Sequence, residues 1–132
     1  VTAIFVFGSN LAGRHGKGAA LWAREHRGAI YGQGEGLQGD SYAIPTKDGR
    51  NGASLSGPQA RLSLIEINRA VVRFLIFADD HPELDFEVTT IGCGLAGYLP
   101  REIAPMFRIA GPNVRLPDAF KAVLNRDTPL TA

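Results

Sequence analysis

Short apolar runs alternate along this chain with longer stretches of helical period. Residues 3–7 are apolar and rich in β-formers, the pattern of a buried strand. A polar, glycine-containing stretch follows over residues 8–18. Helical character then runs from His15 or Gly16 to about Arg27. Ala19, Ala20, Trp22, Ala23 and His26 give an incomplete i, i+3, i+4, i+7 pattern, and Gly28 is a natural stop. Residues 29–39 hold too many glycines for a stable helix and are expected to form a connection. Residues 41–44 predict a short strand ended by Pro45. Residues 46–57 predict a polar loop, with turn signals at Asp48-Gly49 and Asn51-Gly52.

The longest helical pattern spans residues 58–78. Pro58 suits its first turn, and Leu64, Ile67, Val71, Phe74 or Leu75, and Ala78 make one apolar face. Arg61, Glu66, Arg69 and Arg73 fall largely elsewhere. Residues 74–78 are apolar almost all round, which predicts a deeply buried end. After a turn at His81-Pro82, residues 86–91 predict a second long strand. A helix follows from about residue 100 to 109, with Glu102 in its first turn and Ile103 and Phe107 facing inward. Residues 113–116 predict a last strand, and residues 117–132 a turn, a short helix or a peripheral C-terminal extension with a disordered end. The order strand, helix, short strand, long helix, strand, helix, strand predicts a small α/β sandwich in one domain over residues 1–132, with crossover helices.

Composition narrows the function classes. The chain has 132 residues, 45% of them hydrophobic, enough for a core without staples. A net charge of +1, scattered along the chain, does not argue for a general nucleic-acid binder. One cysteine, Cys93, excludes an internal disulfide framework and cysteine-cluster metal sites, and fits a reducing compartment. His15, His26 and His81 have no ligand-like spacing, so no metal is expected. No run approaches the ~20 apolar residues that span a bilayer. No signal peptide is visible, and the cytoplasm is the expected location.

Candidate chemistry concentrates in two glycine-containing loops. Gly92-Cys93-Gly94-Leu95-Ala96-Gly97 follows a strand-like run and matches G-x-G-x-x-G, with Asp118 downstream. In a dinucleotide fold the helix opens within that motif, whereas here Tyr98 and Leu99 precede Pro100, so the glycines form a free-standing loop. Such a loop cradles phosphate, or it is a tight turn needed for packing. The second loop begins at Gly8, Ser9 and Asn10. Both are expected at one end of a parallel sheet, where open α/β folds bind ligands. Asn10 offers a donor and an acceptor to a ligand hydroxyl, or serves as a turn residue. Ser9 is a ligand contact or a cap. Gly16 and Gly18 leave room for an anion at a helix start, with Arg14, His15 and Lys17 beside them. Cys93 is a nucleophile if its pKa is depressed, or a small buried cysteine in a tight loop. Tyr98 stacks on a base or ribose, or covers the core. Residues 34–39 repeat the glycine pattern without a strand or helix around it and suit a flexible lid. Gly16-Lys17 lacks the remaining features of a P-loop. Loop carboxylates available for acid–base work are Glu35, Asp40 and Asp48.

These residues resemble a macrodomain of the compact ADP-ribose-binding type. The segment from Gly8, Ser9 and Asn10 through Gly16, Lys17, Gly18, Ala19 and Ala20 is similar to the family's first loop. The segment from Ile91 through Gly92, Cys93, Gly94, Leu95, Ala96 and Gly97 is similar to its phosphate-binding loop, particularly in members that remove ADP-ribose from acidic residues. The resemblance implies a three-layer α/β/α fold with a mixed or mostly parallel sheet, and ADP-ribose or an ADP-ribosylated substrate as ligand, with no cofactor. It places Asn10 by the distal ribose and residues 92–97 around the diphosphate. It also implies either hydrolysis of ADP-ribosyl linkages on a protein, nucleic acid or small metabolite, or non-catalytic reading of ADP-ribosylated partners or RNA. A phosphatase acting on an ADP-ribose phosphate derivative is a further alternative. Two departures stand out. The earlier strand and acidic residue that read adenine have no counterpart here, and Ala96 stands where some hydrolases of this loop type have Asp. A hydrolase would use Asn10, Glu35 or Asp40 to orient or activate water.

Overall fold

Residues 3–127 of the chain are described by the computed structural model. They form a five-stranded mixed sheet with helices packed on it. The strands are β1 (Ile4–Asn10), β2 (Gly36–Gln38), β3 (Ser41–Lys47), β4 (Phe86–Val88) and β5 (Val114–Arg115). The α-helices are α1 (Gly18–His26), α2 (Leu64–Asp80), α3 (Pro100–Ile103) and α4 (Asp118–Asp127), and short 3₁₀ turns cover Arg50–Gly52, Pro58–Ala60 and Ala104–Phe107. The sheet order is β2-β3-β1-β4-β5. β3, β1, β4 and β5 run parallel, and β2 pairs antiparallel with β3 at the edge.

Strand alternation sends side chains of the sheet to two cores. Ile4, Val6, Tyr42, Ile44, Phe86 and Val88 join Ile67, Val71 and Phe74 of α2. The intervening Phe5, Phe7 and Ala43 meet Ala20 and Ala23 of α1. Phe74 is the hub of the larger core. Its ring meets Tyr42 at 4.9 Å and Phe86 at 5.3 Å between centroids, both edge to face.

Several boundaries differ from the sequence pattern, each for a local reason. β1 continues to Asn10 because Gly8 and Ser9 still pair with Ile44 and Pro45. β3 accordingly runs through Pro45. β2 pairs only as far as Ala43, so Pro45 sits where β3 has no strand on its outer side and a missing N–H is tolerated. β2 itself was not legible in its glycines. The helix expected from Pro58 starts at Leu64. Ser63 Oγ accepts from Glu66 N at 3.2 Å and Glu66 Oε1 accepts from Ser63 N at 3.2 Å, a reciprocal cap, while Pro58 opens a separate 3₁₀ turn. The end of α2 is not buried all round, since Ile76 is exposed. β4 stops at Val88, and the following Thr89 turns both its N–H and its hydroxyl onto the Val6 carbonyl. The third helix is one α turn continued by the 3₁₀ turn Ala104–Phe107.

Residues 118–127 form a short helix, one of the expected alternatives, and it packs into the core instead of lying at the periphery. Phe120 of α4 is fully buried and stacks on Phe107 at 5.6 Å, and Val123 joins the same core. The expectation of a disordered end falls on residues 128–132, outside the described residues. No described helix is long and apolar enough to cross a membrane.

The topology singles out one end of the sheet. The chain leaves β1 toward β3 on one side of the sheet, and leaves β4 toward β5 on the other. β1 and β4 are adjacent, so the direction of winding reverses between them. Open α/β sheets bind ligands at the carboxyl ends of such strand pairs. Here those ends carry the two glycine-containing loops.

Candidate functional site

The two loops touch at this reversal point. A Cβ on Gly8 would lie 3.7 Å from Gly92 N, and one on Gly18 would lie 3.6 Å from Leu95 Cδ1. The first loop is held rigidly by its own polar side chains. Asn10 Oδ1 accepts from Arg14 N and Asn10 Nδ2 donates to Arg14 O, both at 2.9 Å, so both ends of the amide close the turn. Ser9 Oγ donates to Gly34 O at 2.5 Å. The Arg14 guanidinium donates to the carbonyls of Gly49, at 3.0 Å, and Ala53. His15 is fully buried with its ring edge-on to Phe7. Its Nε2 faces Gln33 O at 2.9 Å and Gln38 Oε1 at 3.2 Å, so this nitrogen carries the hydrogen. Ser9, Asn10 and His15 therefore build the loop. Gly16, Lys17 and Gly18 are left exposed at the start of α1.

That helix start is open to an anion. Lys17 is the N-cap, no side chain caps the first turn, and no acidic residue lies in it. The free N–H groups and the dipole both favour negative charge there.

The second loop adds further donors. Within it Cys93 N donates to Thr90 O, Gly97 N to Gly94 O and Tyr98 N to Gly92 O. These bonds leave the N–H groups of Gly94, Leu95 and Ala96 without a partner among the described residues. Gly94 is exposed, and a Cβ built on it would meet nothing within 4 Å. Of these three residues Gly94 and Leu95 are exposed and Ala96 is buried, and successive unbonded N–H groups in a turn are the kind of donor set that can meet an anion.

Cations stand around these donors. Lys47, at the end of β3, is held below the usual lysine pKa range, first by burial and then by the neighbouring charge of Lys17. Its Nζ donates to Leu55 O at 2.8 Å. Arg61 lies over the Tyr98 ring at 4.1 Å. Sequence reasoning missed both residues. Arg61 reads there as part of a helix's polar face, and the bridge pairing Lys47 with Arg61 shows that it belongs to this end of the sheet. Tyr98 itself is buried, with its hydroxyl donating to Leu62 O at 2.6 Å, so it covers the core instead of offering a free face.

The carboxylates expected to act on water are not poised in the crevice. Glu35 makes a two-pronged ion pair with Arg73 of α2, at 2.5 and 2.8 Å, beside the outer strand β2. Asp40 lies in the β2–β3 turn, where its carbonyl accepts from Phe5 N at the start of β1. That is the opposite end of the sheet from the two loops, so Asp40 is left out of the site. Asp48 is held by Arg50 at 2.7 Å.

Cys93 is no ready nucleophile either. Burial, and then the Glu102 carboxylate, push its thiol up to about 11. Alkylation by iodoacetamide at pH 8 is expected to be on the order of a hundredfold slower than for a thiol of ordinary pKa. Its rate should keep climbing toward pH 11. The folded pKa is the higher one, so this thiol's contribution to stability is present at neutral pH and is lost as pH rises from about 8.5 toward 11. Alkylation at pH 7 as fast as that of free cysteine would return Cys93 to the list of nucleophiles.

What the arrangement can do chemically is bind an extended anion. Backbone donors of the second loop, the uncapped start of α1, Lys17, Lys47 and Arg61 lie at one end of the sheet, with no free carboxylate from the expected set. Comparison with protein-family models, with curated proteins and with solved structures finds no match to this chain.

Proposed function

We propose that the crevice at the carboxyl ends of β1 and β4 binds ADP-ribose or a closely related nucleotide, and that the protein reads this ligand without turning it over. The observation that carries the reading is the run of unbonded N–H groups at Gly94, Leu95 and Ala96, packed beside the uncapped start of α1. A diphosphate has the charge and length to meet both sets of donors. The macrodomain resemblance of the two loops names the rest of the ligand. Helix α1 on one face of a mixed sheet, and α2 to α4 on the other, are compatible with the layering that resemblance implies.

Reading without turnover follows from what the side chains already do. The Asn10 amide is bound to Arg14, Glu35 to Arg73, and Asp40 sits at the far end of the sheet. Ala96 supplies no carboxylate, and the Cys93 thiol stays protonated near neutral pH. The phosphatase alternative needs a water-activating group at a terminal phosphate, and neither Glu35 nor Asp40 is placed for that.

Calorimetric titration tests the reading. ADP-ribose is expected to bind with a micromolar Kd, about 8 kcal/mol, and AMP at least roughly tenfold more weakly. An ADP-ribosylated protein incubated with the purified chain should keep its modification. No heat with ADP-ribose would sink the binding claim, and steady release of ADP-ribose above the blank would replace the reader by a hydrolase.

A further inference from the structure

We propose that Arg61 is the side chain that grips the ligand's phosphates and makes the crevice selective for a diphosphate over a neutral sugar or nucleoside; this rests on the nucleotide-binding reading above. Its backbone is fixed on both sides. Lys47 and Arg61 pair in an antiparallel bridge, Asp48 N donates to Ala60 O at 2.9 Å, and Leu62 N donates to Thr46 O at 2.8 Å. The segment before α2 is thereby tied to the carboxyl end of β3.

The side chain has an aromatic neighbour. Its guanidinium carbon lies 4.1 Å from the Tyr98 ring centroid, and Tyr98 is an immobile platform because its ring is buried and its hydroxyl is bonded to Leu62 O. Stacking on an aromatic face leaves the in-plane N–H donors of a guanidinium free. For Arg61 they meet no hydrogen-bond acceptor and no carboxylate among the described residues. Neighbouring arginines differ in this respect: Arg50 is paired with Asp48, Arg73 with Glu35, and Arg14 with the carbonyls of Gly49 and Ala53.

Arg61 also stands beside the right loop. A Cβ on Gly97 would lie 4.0 Å from Nη1, so the guanidinium reaches the end of the turn that carries the unbonded N–H groups of Gly94, Leu95 and Ala96. A planar fork of donors matches two phosphate oxygens, which the point charge of a lysine does not. Lys47, its bridge partner, already donates to Leu55 O and adds charge more than geometry.

The test compares wild type with Arg61→Gln and Arg61→Lys by calorimetry with ADP-ribose, and by thermal melting. Arg61→Gln is expected to bind about 10- to 100-fold more weakly, and its remaining affinity to respond less to salt than that of wild type. Arg61→Lys should fall in between, with charge kept and the fork lost. A residue that merely braces Tyr98 would lower the melting temperature and leave the Kd unchanged. A wild type that binds ADP-ribose beside a folded Arg61→Gln that binds equally well would overturn this assignment alone. A wild type that binds no ADP-ribose would remove the nucleotide reading, and this assignment with it. Should Arg61→Gln fail to fold, Arg61→Lys decides: binding at wild-type strength would count against the fork.

Discussion

Replacing Gly34 with alanine is expected to lower the unfolding free energy by about 3 kcal/mol, and the melting temperature by roughly 10 °C. The added Cβ would lie 2.3 Å from Asn10 O and 2.8 Å from Leu11 O. Both are backbone atoms of the first loop, and neither can swing aside. Asn10 is fixed through its amide bonds to Arg14, and Gly34 is fixed in turn by the Ser9 hydroxyl on its carbonyl. The same closeness recurs nearby, where Gly32 N donates to Gly13 O at 2.8 Å. Residues 32–34 are thus clamped to the loop they cover, and the glycines are there because two backbones meet. This differs from the flexible lid that the glycine pattern suggested. Gly16→Ala is the control. Nothing lies within 4 Å of its Cβ, so its melting temperature should stay close to that of wild type. An unchanged melting temperature for Gly34→Ala would mean that the segment moves freely and would restore the lid.

Gly34 also shows where sequence reading reaches its limit. The strands β1 and β3 and the inward face of α2 were legible because apolar periodicity is a local signal, and Ile67, Val71, Phe74 and Ala78 lie inside as their spacing predicts. The position of the two loops at one sheet edge followed from parallel topology alone. What did not follow were facts set by tertiary contact. Nothing in the string says that the Asn10 amide turns back on Arg14, or that Glu35 meets Arg73 across 38 positions. Asp40 and Asp48 are equally plausible loop carboxylates on paper, yet the β2–β3 turn carries the first to the opposite edge. Arg61 has the sequence context of a helix because Pro58 resembles a helix start. The competing signal, Ser63 with Glu66 three residues later, was present and is the stronger one. That misplaced boundary hid a cation that lies beside Gly97 of the second loop.

Gly94→Leu is expected to fold as well as wild type and to lose ADP-ribose affinity by at least about 100-fold, roughly 2.7 kcal/mol or more. The position separates binding from stability because its surroundings are empty. It needs no left-handed backbone, and a Cβ there contacts nothing. A leucine side chain would therefore fill open space at the middle of the loop on which the diphosphate is proposed to sit. Its neighbour gives the contrasting case. Gly92 has φ of 76°, and a Cβ on it would press on Ile103 Cδ1 at 3.1 Å, so Gly92→Ala would disturb the fold and any loss of binding would be ambiguous. Paired calorimetry and melting curves on Gly94→Leu avoid that confusion. A variant that melts like wild type and binds no ADP-ribose places the ligand on this loop. One that melts like wild type and binds equally well moves the ligand off it. The unbonded N–H groups would then be hydrated surface, and the uncapped start of α1 would have to hold the anion without them.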